Sequence, residues 1–234
     1  MSPDSDHPVT GHPRLRGTLL SSPVELSDRA QRWPVRSSVV EHRGVILSLR
    51  RDEVVAPDGT TFAREAATHP GAVGVVALDE QDRMLLVRQY RHTVGQRLVQ
   101  APAGLLDVDG EQPLDSARRE LAEEGQVLAT DWRVLVDYLS SPGFSTEAVR
   151  IYLARELVAV SAPEDFTADH EEADMELVWA PLEWVVTQSL AGRVQDSLLI
   201  LGALACWTAR QLAPPDGLRP ADAPWTGREQ LPHR

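Results

Sequence analysis

Residues 104–127 read GLLDVDGEQPLDSARRELAEEGQV, and the reading of that stretch decides what fold the chain can form. A helical pattern lies between two glycine-bearing loops. Pro113 stands where a first-turn proline is tolerated, and Asp115 lies near the positive start of the helix. Leu114, Ala117 and Leu121 recur at i, i+3 and i+7, an apolar stripe suited to packing on a sheet. Glu120, Glu123 and Glu124 share another face, centred roughly 100° around the helix from that stripe at about 3.6 residues per turn. Like charges so spaced disfavour a helix unless something positive sits among them. Three neighbouring carboxylates form an all-oxygen site that suits a hard divalent cation such as Mg²⁺. An acidic helix face is also the ordinary appearance of a solvated surface, so the helix alone leaves both readings open.

Size and charge narrow the field. A chain of 234 residues can bury one sizeable core. A net charge of −12 argues against general nucleic-acid binding and against a basic membrane-surface role. An anionic substrate would then need local arginines or a bound cation. Cys206 is the single cysteine, which excludes an internal disulfide and fits a reducing compartment. It lies in LLILGALACW (198–207), a run too short to span a bilayer, where a buried structural thiol is expected. No apolar stretch follows basic residues at the N-terminus, so no secretion signal is read. The expectation is a cytoplasmic protein without nucleic-acid or membrane partners.

Residues 1–35 read as a flexible arm, and the Pro-rich tail 213–234 reads the same way. Between them, strand signals fall at RSSVVEH (36–42), VILSLRRDEVV (45–55), AVGVVALD (72–79) and RMLLVRQY (83–90), the last two spaced for a hairpin. WRVLVDYL (132–139), AVRIYLAREL (148–157) and MELVWA (175–180) add further strands. Beyond the acidic helix, LEWVVTQSLAG (182–192) and the apolar DSLLILGALACWTARQL (196–212) are helical. Strands mixed with helices indicate a layered α/β or α+β domain.

The stretch 104–127 resembles the Nudix box of the Nudix hydrolases. Gly104 matches the first glycine, Glu111 the isolated glutamate, and Arg119 to Glu124 (RELAEE) the Arg-Glu-apolar-x-Glu-Glu core. The resemblance implies a Nudix domain over residues 36–212, an α/β/α sandwich with a mixed sheet, of which 36–66 are the N-terminal strands. It implies that Glu120 and Glu124 are the chief Mg²⁺ ligands, with Mn²⁺ the alternative ion. Glu123 would share metal or water contacts, and the main-chain carbonyl of Ala103 would assist. Arg119 and Glu111 would brace the loop. Two departures stand out: one extra residue between Gly104 and Glu111, and Gln126 where a late glycine is usual, with Gly125 one position earlier. They bear on how the helix ends rather than on the carboxylates.

REAATHPGAVGVVAL, LLVRQYRHTVG, APAGLLD and SSPGFSTEAVRIYLA together look like the ADP-ribose pyrophosphatase branch, in its actinobacterial form. The branch implies hydrolysis of ADP-ribose to AMP and ribose 5-phosphate, and a homodimer to which segment 36–66 contributes. Arg91, at a strand end, is the first candidate for a bidentate phosphate contact, and Arg64 the second. Gly143 and Ser145, in SPGFS, are candidates near the terminal ribose. Trp33 or Phe62 are candidates for stacking on adenine. The base is expected in the loop DFTADHEEADM, at Glu172, with Glu171 the alternative and His170 a loop-shaping residue. Gln100 stands where this branch often carries glutamate, a departure that bears on a secondary metal position or on metal preference. The rival readings are a Nudix hydrolase acting on a nucleotide sugar or dinucleotide, and a non-catalytic module that senses ADP-ribose.

Overall fold

A computed structural model describes residues 10–11, 14–161, 174–212 and 217–231. In its main sheet β6 (Ala72–Ala77) runs parallel to β11 (Ala148–Ala159) and antiparallel to β9 (Ala103–Leu105). β10 (Val127–Leu139) pairs with the outer side of β11, giving a mixed five-stranded sheet whose far edge is β13 (Arg219–Pro220). β6 has no polar face because both of its sides are covered. Val73, Val75 and Ala77 point into one apolar layer with Ala117 and Leu121 of α1 (Pro113–Gly125). Val76 points into the other, which α2 (Leu182–Leu190) and α3 (Ser197–Leu212) close through Leu182, Val185, Leu199, Ala203 and Cys206. The expected α/β/α sandwich is therefore present, with α1 on one face and α2 and α3 on the other. Among the described residues no helix is long and apolar enough to cross a membrane.

The spacing of 72–79 and 83–90 predicts a hairpin, and the structure differs. The turn is tight, with the Asp79 N–H donating to the Arg83 carbonyl at 3.1 Å, but only Leu78 and Met84 pair across it. β7 (Arg83–Arg91) then leaves for a second sheet, ordered β12 (Glu176–Pro181), β7, β8 (Gln96–Gln100). Both strands are apolar on two faces, so each can sit between two neighbours in its own sheet. Periodicity shows that they are buried and cannot say against what.

The N-terminal strands form a third sheet, β3 (Val35–Arg43), β4 (Ser48–Val55) and β5 (Thr61–Thr68), rather than an edge of the central one. It joins the domain at the end of β5, where the Ala67 N–H donates to the Phe144 carbonyl at 2.7 Å and Thr146 N–H donates back to Ala67 at 3.0 Å. Before it, residues 14–23 and 25–34 are almost wholly exposed; β1 (Thr10–Gly11) and β2 (Thr18–Leu19) form a two-stranded ladder.

The C-terminal segment departs from its expected role as a flexible arm. Residues 217–231 return to the central sheet, β13 pairs with β10, and Ala223 and Trp225 lie in the same core layer as α1. Two guanidinium groups lie over the Trp225 ring, that of Arg150 at 4.8 Å and that of Arg228 at 5.6 Å from its centroid. Arg150 is itself buried. Its Nε donates to Asp137 at 2.7 Å, and Nη1 donates to the Ala223 carbonyl at 2.7 Å, so its charge is both paired and hydrogen-bonded. The Pro-rich composition that suggests disorder hides a short α4 (Thr226–Glu229) and one deeply placed tryptophan.

Candidate active site

Helix α1 is aimed by its apolar stripe. Ala117 and Leu121 are fully buried against the sheet, which leaves Glu120 and Glu124 against β9 and Glu123 beside them on the helix. Glu124 is 6 % exposed, and its Oε2 accepts the backbone N–H of Ala103 at 2.9 Å. That bond ties the end of α1 to β9 and brings the Ala103 main chain beside the carboxylate. Glu120 lies directly over Gly104: a Cβ built on that glycine would stand 1.9 Å from Glu120 Oε1. The loop glycine is thus required by close approach of backbone and carboxylate.

The cation among the glutamates in this structure is Arg119. Its Nη1 donates to Glu120 Oε1 at 2.7 Å and to Glu123 Oε2 at 3.0 Å. Its Nε and Nη2 grip Glu111 in a two-point contact, at 3.1 and 3.2 Å. The hydrogen bond to Glu111, with the charges of Glu120 and Glu111, holds the guanidinium above its ordinary pKa, against the opposing effect of burial. Arg119 therefore links the loop before the helix to the carboxylates on it. Among the described residues no three His, Cys, Asp or Glu side chains converge on one metal-binding point. The donor set still fits a hard divalent cation by chemistry: three carboxylates largely withdrawn from solvent and a main-chain strand, with Gly104 leaving room for Glu120.

The helix end explains one departure from the box. Gly125 closes α1 because a Cβ there would meet Leu85 Cδ2 at 2.8 Å. Gln126 then takes the left-handed conformation, φ 53° and ψ 35°, and its N–H donates to the Leu121 carbonyl. The two positions have separate needs, one for a small side chain and one for a left-handed backbone.

The remaining candidates are spread over the molecule. Arg91 ends β7, and its Nε donates to Gln100 Oε1 at 2.7 Å. Gln100 is thus directed to Arg91 and to Asp196, an engagement that residue type alone does not disclose. Gly143 and Ser145 lie in the turn docked on β5; Ser145 Oγ accepts the Glu147 N–H at 3.1 Å. Arg64 is on the third sheet, its guanidinium 5.0 Å from the Phe62 ring centroid, and Trp33 meets Phe62 edge-on at 6.3 Å. So Trp33, Phe62 and Arg64 form one cluster. Glu171, Glu172 and His170 lie outside the described residues. Cys206 is buried in the layer beneath α3, and burial pushes its thiol up to about 11, as befits an inert core residue. Sequence reasoning missed Asp196, whose role is visible only where α3 meets β8; its place just ahead of an apolar helix was the available signal.

Residues 68–199 match the NUDIX domain, more than half the chain, and the chain belongs to that family. It is 46 % identical over 193 residues to the ADP-ribose pyrophosphatase of Mycobacterium tuberculosis, which covers 82 % of this chain and 90 % of that protein. It is 34 % identical over 134 residues to the ADP-ribose pyrophosphatase of Bacillus subtilis, covering 57 % of this chain and 72 % of that one. A crystal structure described as an ADP compounds hydrolase superposes with a TM-score of 0.64, covering 80 % of this chain and all of that one. At 20 % identity that likeness speaks for the fold.

Proposed function

We propose that this Nudix protein is an enzyme that hydrolyses the diphosphate of ADP-ribose, releasing AMP and ribose 5-phosphate. The observation that carries the reading is the 46 % identity, over most of both chains, to a protein named ADP-ribose pyrophosphatase. The geometry supports it. Glu120 and Glu124 would hold Mg²⁺, or alternatively Mn²⁺, with Glu123 and the carbonyl of Ala103 sharing in its contacts. An ion held there would supply Lewis-acid polarisation of the diphosphate and would make the attacking water easier to deprotonate.

The rest is done by the chain. Arg91 takes a phosphate of the substrate and offsets the repulsion expected from a net charge of −12. The turn carrying Gly143 and Ser145 meets the terminal ribose, Trp33 or Phe62 supplies aromatic surface for adenine, and Arg64 is the second candidate for a phosphate contact. Glu172, with Glu171 the alternative, accepts the proton of water as its oxygen bonds to phosphorus. The P–O bond to the bridging oxygen breaks, and that oxygen leaves with the other phosphate. Arg119 keeps Glu111, Glu120 and Glu123 in register throughout. We infer a homodimer in which the third sheet meets a second copy, and a cytoplasmic setting.

Incubation with ADP-ribose and Mg²⁺ in ¹⁸O-labelled water tests the reading. AMP and ribose 5-phosphate are expected, with the label in one of the two phosphates, and Glu124→Gln is expected to lose nearly all turnover. If the folded protein leaves ADP-ribose intact but cleaves a nucleotide sugar or a dinucleotide, the substrate is wrong and the class stands. Binding of ADP-ribose without cleavage of any diphosphate would make it a sensor.

A further inference from the structure

The amide of Gln100 lies between two groups of opposite demand. On one side the Arg91 Nε donates to Gln100 Oε1 at 2.7 Å; on the other, Gln100 Nε2 donates to Asp196 Oδ2 at 2.7 Å. A guanidinium can only donate and a carboxylate can only accept, so the amide orientation is determined by its neighbours. Glutamine is the side chain of this length that offers an acceptor to one and a donor to the other. Glutamate would set a carboxylate against Asp196.

The far end of this chain is anchored. Asp196 Oδ1 accepts the Leu199 N–H at 2.8 Å and its carbonyl accepts the Ile200 N–H at 3.0 Å, so it caps α3. α3 in turn is held by buried Leu199, Ala203 and Cys206. Tyr138 of β10 lies close by. Burial, with the carboxylates of Asp196 and Glu147 adding to it, pushes its hydroxyl up to about 12 against a hydrogen bond with Ser197. Thus Arg91, at the end of a strand, is tied through one amide to a helix start fixed in the core.

We propose that Gln100 and Asp196 are positioning residues that set the guanidinium of Arg91, and that glutamine stands at 100 because Asp196 occupies its other side. The proposal rests on the reading of Arg91 as the phosphate contact. It moves the consequence of the missing glutamate from the metal to the substrate.

Steady-state hydrolysis of ADP-ribose is measured for the full-length protein and for Gln100→Met, Gln100→Glu and the double variant Gln100→Glu/Asp196→Asn. Calorimetric binding of the α,β-methylene analogue of ADP-ribose and thermal unfolding are recorded alongside. Gln100→Met, which keeps the length and removes both hydrogen bonds, is expected to raise KM about tenfold with kcat within about twofold. Gln100→Glu is expected to raise KM comparably. The double variant should return to within about twofold of the parent, because an asparagine in place of Asp196 can still cap α3 and can donate to the carboxylate introduced at position 100. Rescue of this kind is not expected of a residue that merely fills space. The proposal is overturned if Gln100→Met leaves both constants unchanged, or if Asp196→Asn fails to rescue Gln100→Glu. A parent protein that binds the analogue without cleaving ADP-ribose defeats the proposed reaction, while the order of affinities still decides Gln100. A parent that neither binds nor cleaves overturns both.

Discussion

Gln126 is a non-glycine residue in a left-handed conformation, at φ 53°. A Cβ in that region costs about 1 kcal/mol or somewhat more, and Gln126 is exposed, so packing does not repay it. Gln126→Gly should therefore raise the unfolding free energy by about 1 kcal/mol in a denaturant titration, with activity unchanged. Gly104 poses the opposite case. A Cβ there collides with the far end of Glu120, a flexible side chain that can swing aside, so Gly104→Ala should fold at close to normal stability. Its carboxylate would be displaced by about 1 Å or more, and the loss in kcat/KM is expected to be about 100-fold. Calorimetric titration with Mg²⁺ should show weaker binding in the same variant; unchanged binding and turnover would remove Glu120 from the metal site.

Among the elements, α1 and the C-terminal segment divide the work on one face of the central sheet. α1 brings charge to β9, held in place by Ala117 and Leu121. The segment 217–231 covers the same layer through Ala223 and Trp225 and engages Arg150, whose other partner is Asp137 on β10. Trp225→Ala would leave a cavity and remove the ring beneath Arg150. A loss of about 3–5 kcal/mol in unfolding free energy is expected, as for other buried tryptophans. A loss of less than about 1 kcal/mol would mean that the segment rests on the domain without supporting it.

At the scale of the whole molecule, the third sheet is incomplete by itself. All nine residues of β3 are exposed, and Val35, Val39 and Val40 among them are 51 %, 59 % and 43 % exposed. The adjoining turn adds Val45, Ile46 and Leu47, all exposed. An exposed strand with apolar residues on both of its sides invites association, and a second copy of the chain is the partner inferred here. Light scattering should give twice the chain mass. Val39→Lys/Val40→Glu should reduce that mass to one chain, leaving the α1 site folded by circular dichroism. A parent protein of single-chain mass at micromolar concentration would rule the dimer out.

The acidic helix was legible in sequence because a helix converts spacing directly into geometry: i, i+3 and i+4 share a face whatever lies around them. The loop glycine, the strands and the two apolar helices were legible for the same local reason. The partners of those strands were not. β6 and β7 adjoin in sequence yet sit in different sheets, and Trp225 lies in a Pro-rich segment that composition assigns to a mobile arm. Nor could spacing show that Arg119 pairs with Glu111, Glu120 and Glu123 together, or that Gln100 faces an aspartate 96 residues away. Local periodicity and the box motif by themselves determined the class of fold and the carboxylates. Only tertiary structure decided which charge each carboxylate, arginine and amide meets, because those contacts form where sheets and helices distant in sequence are packed together.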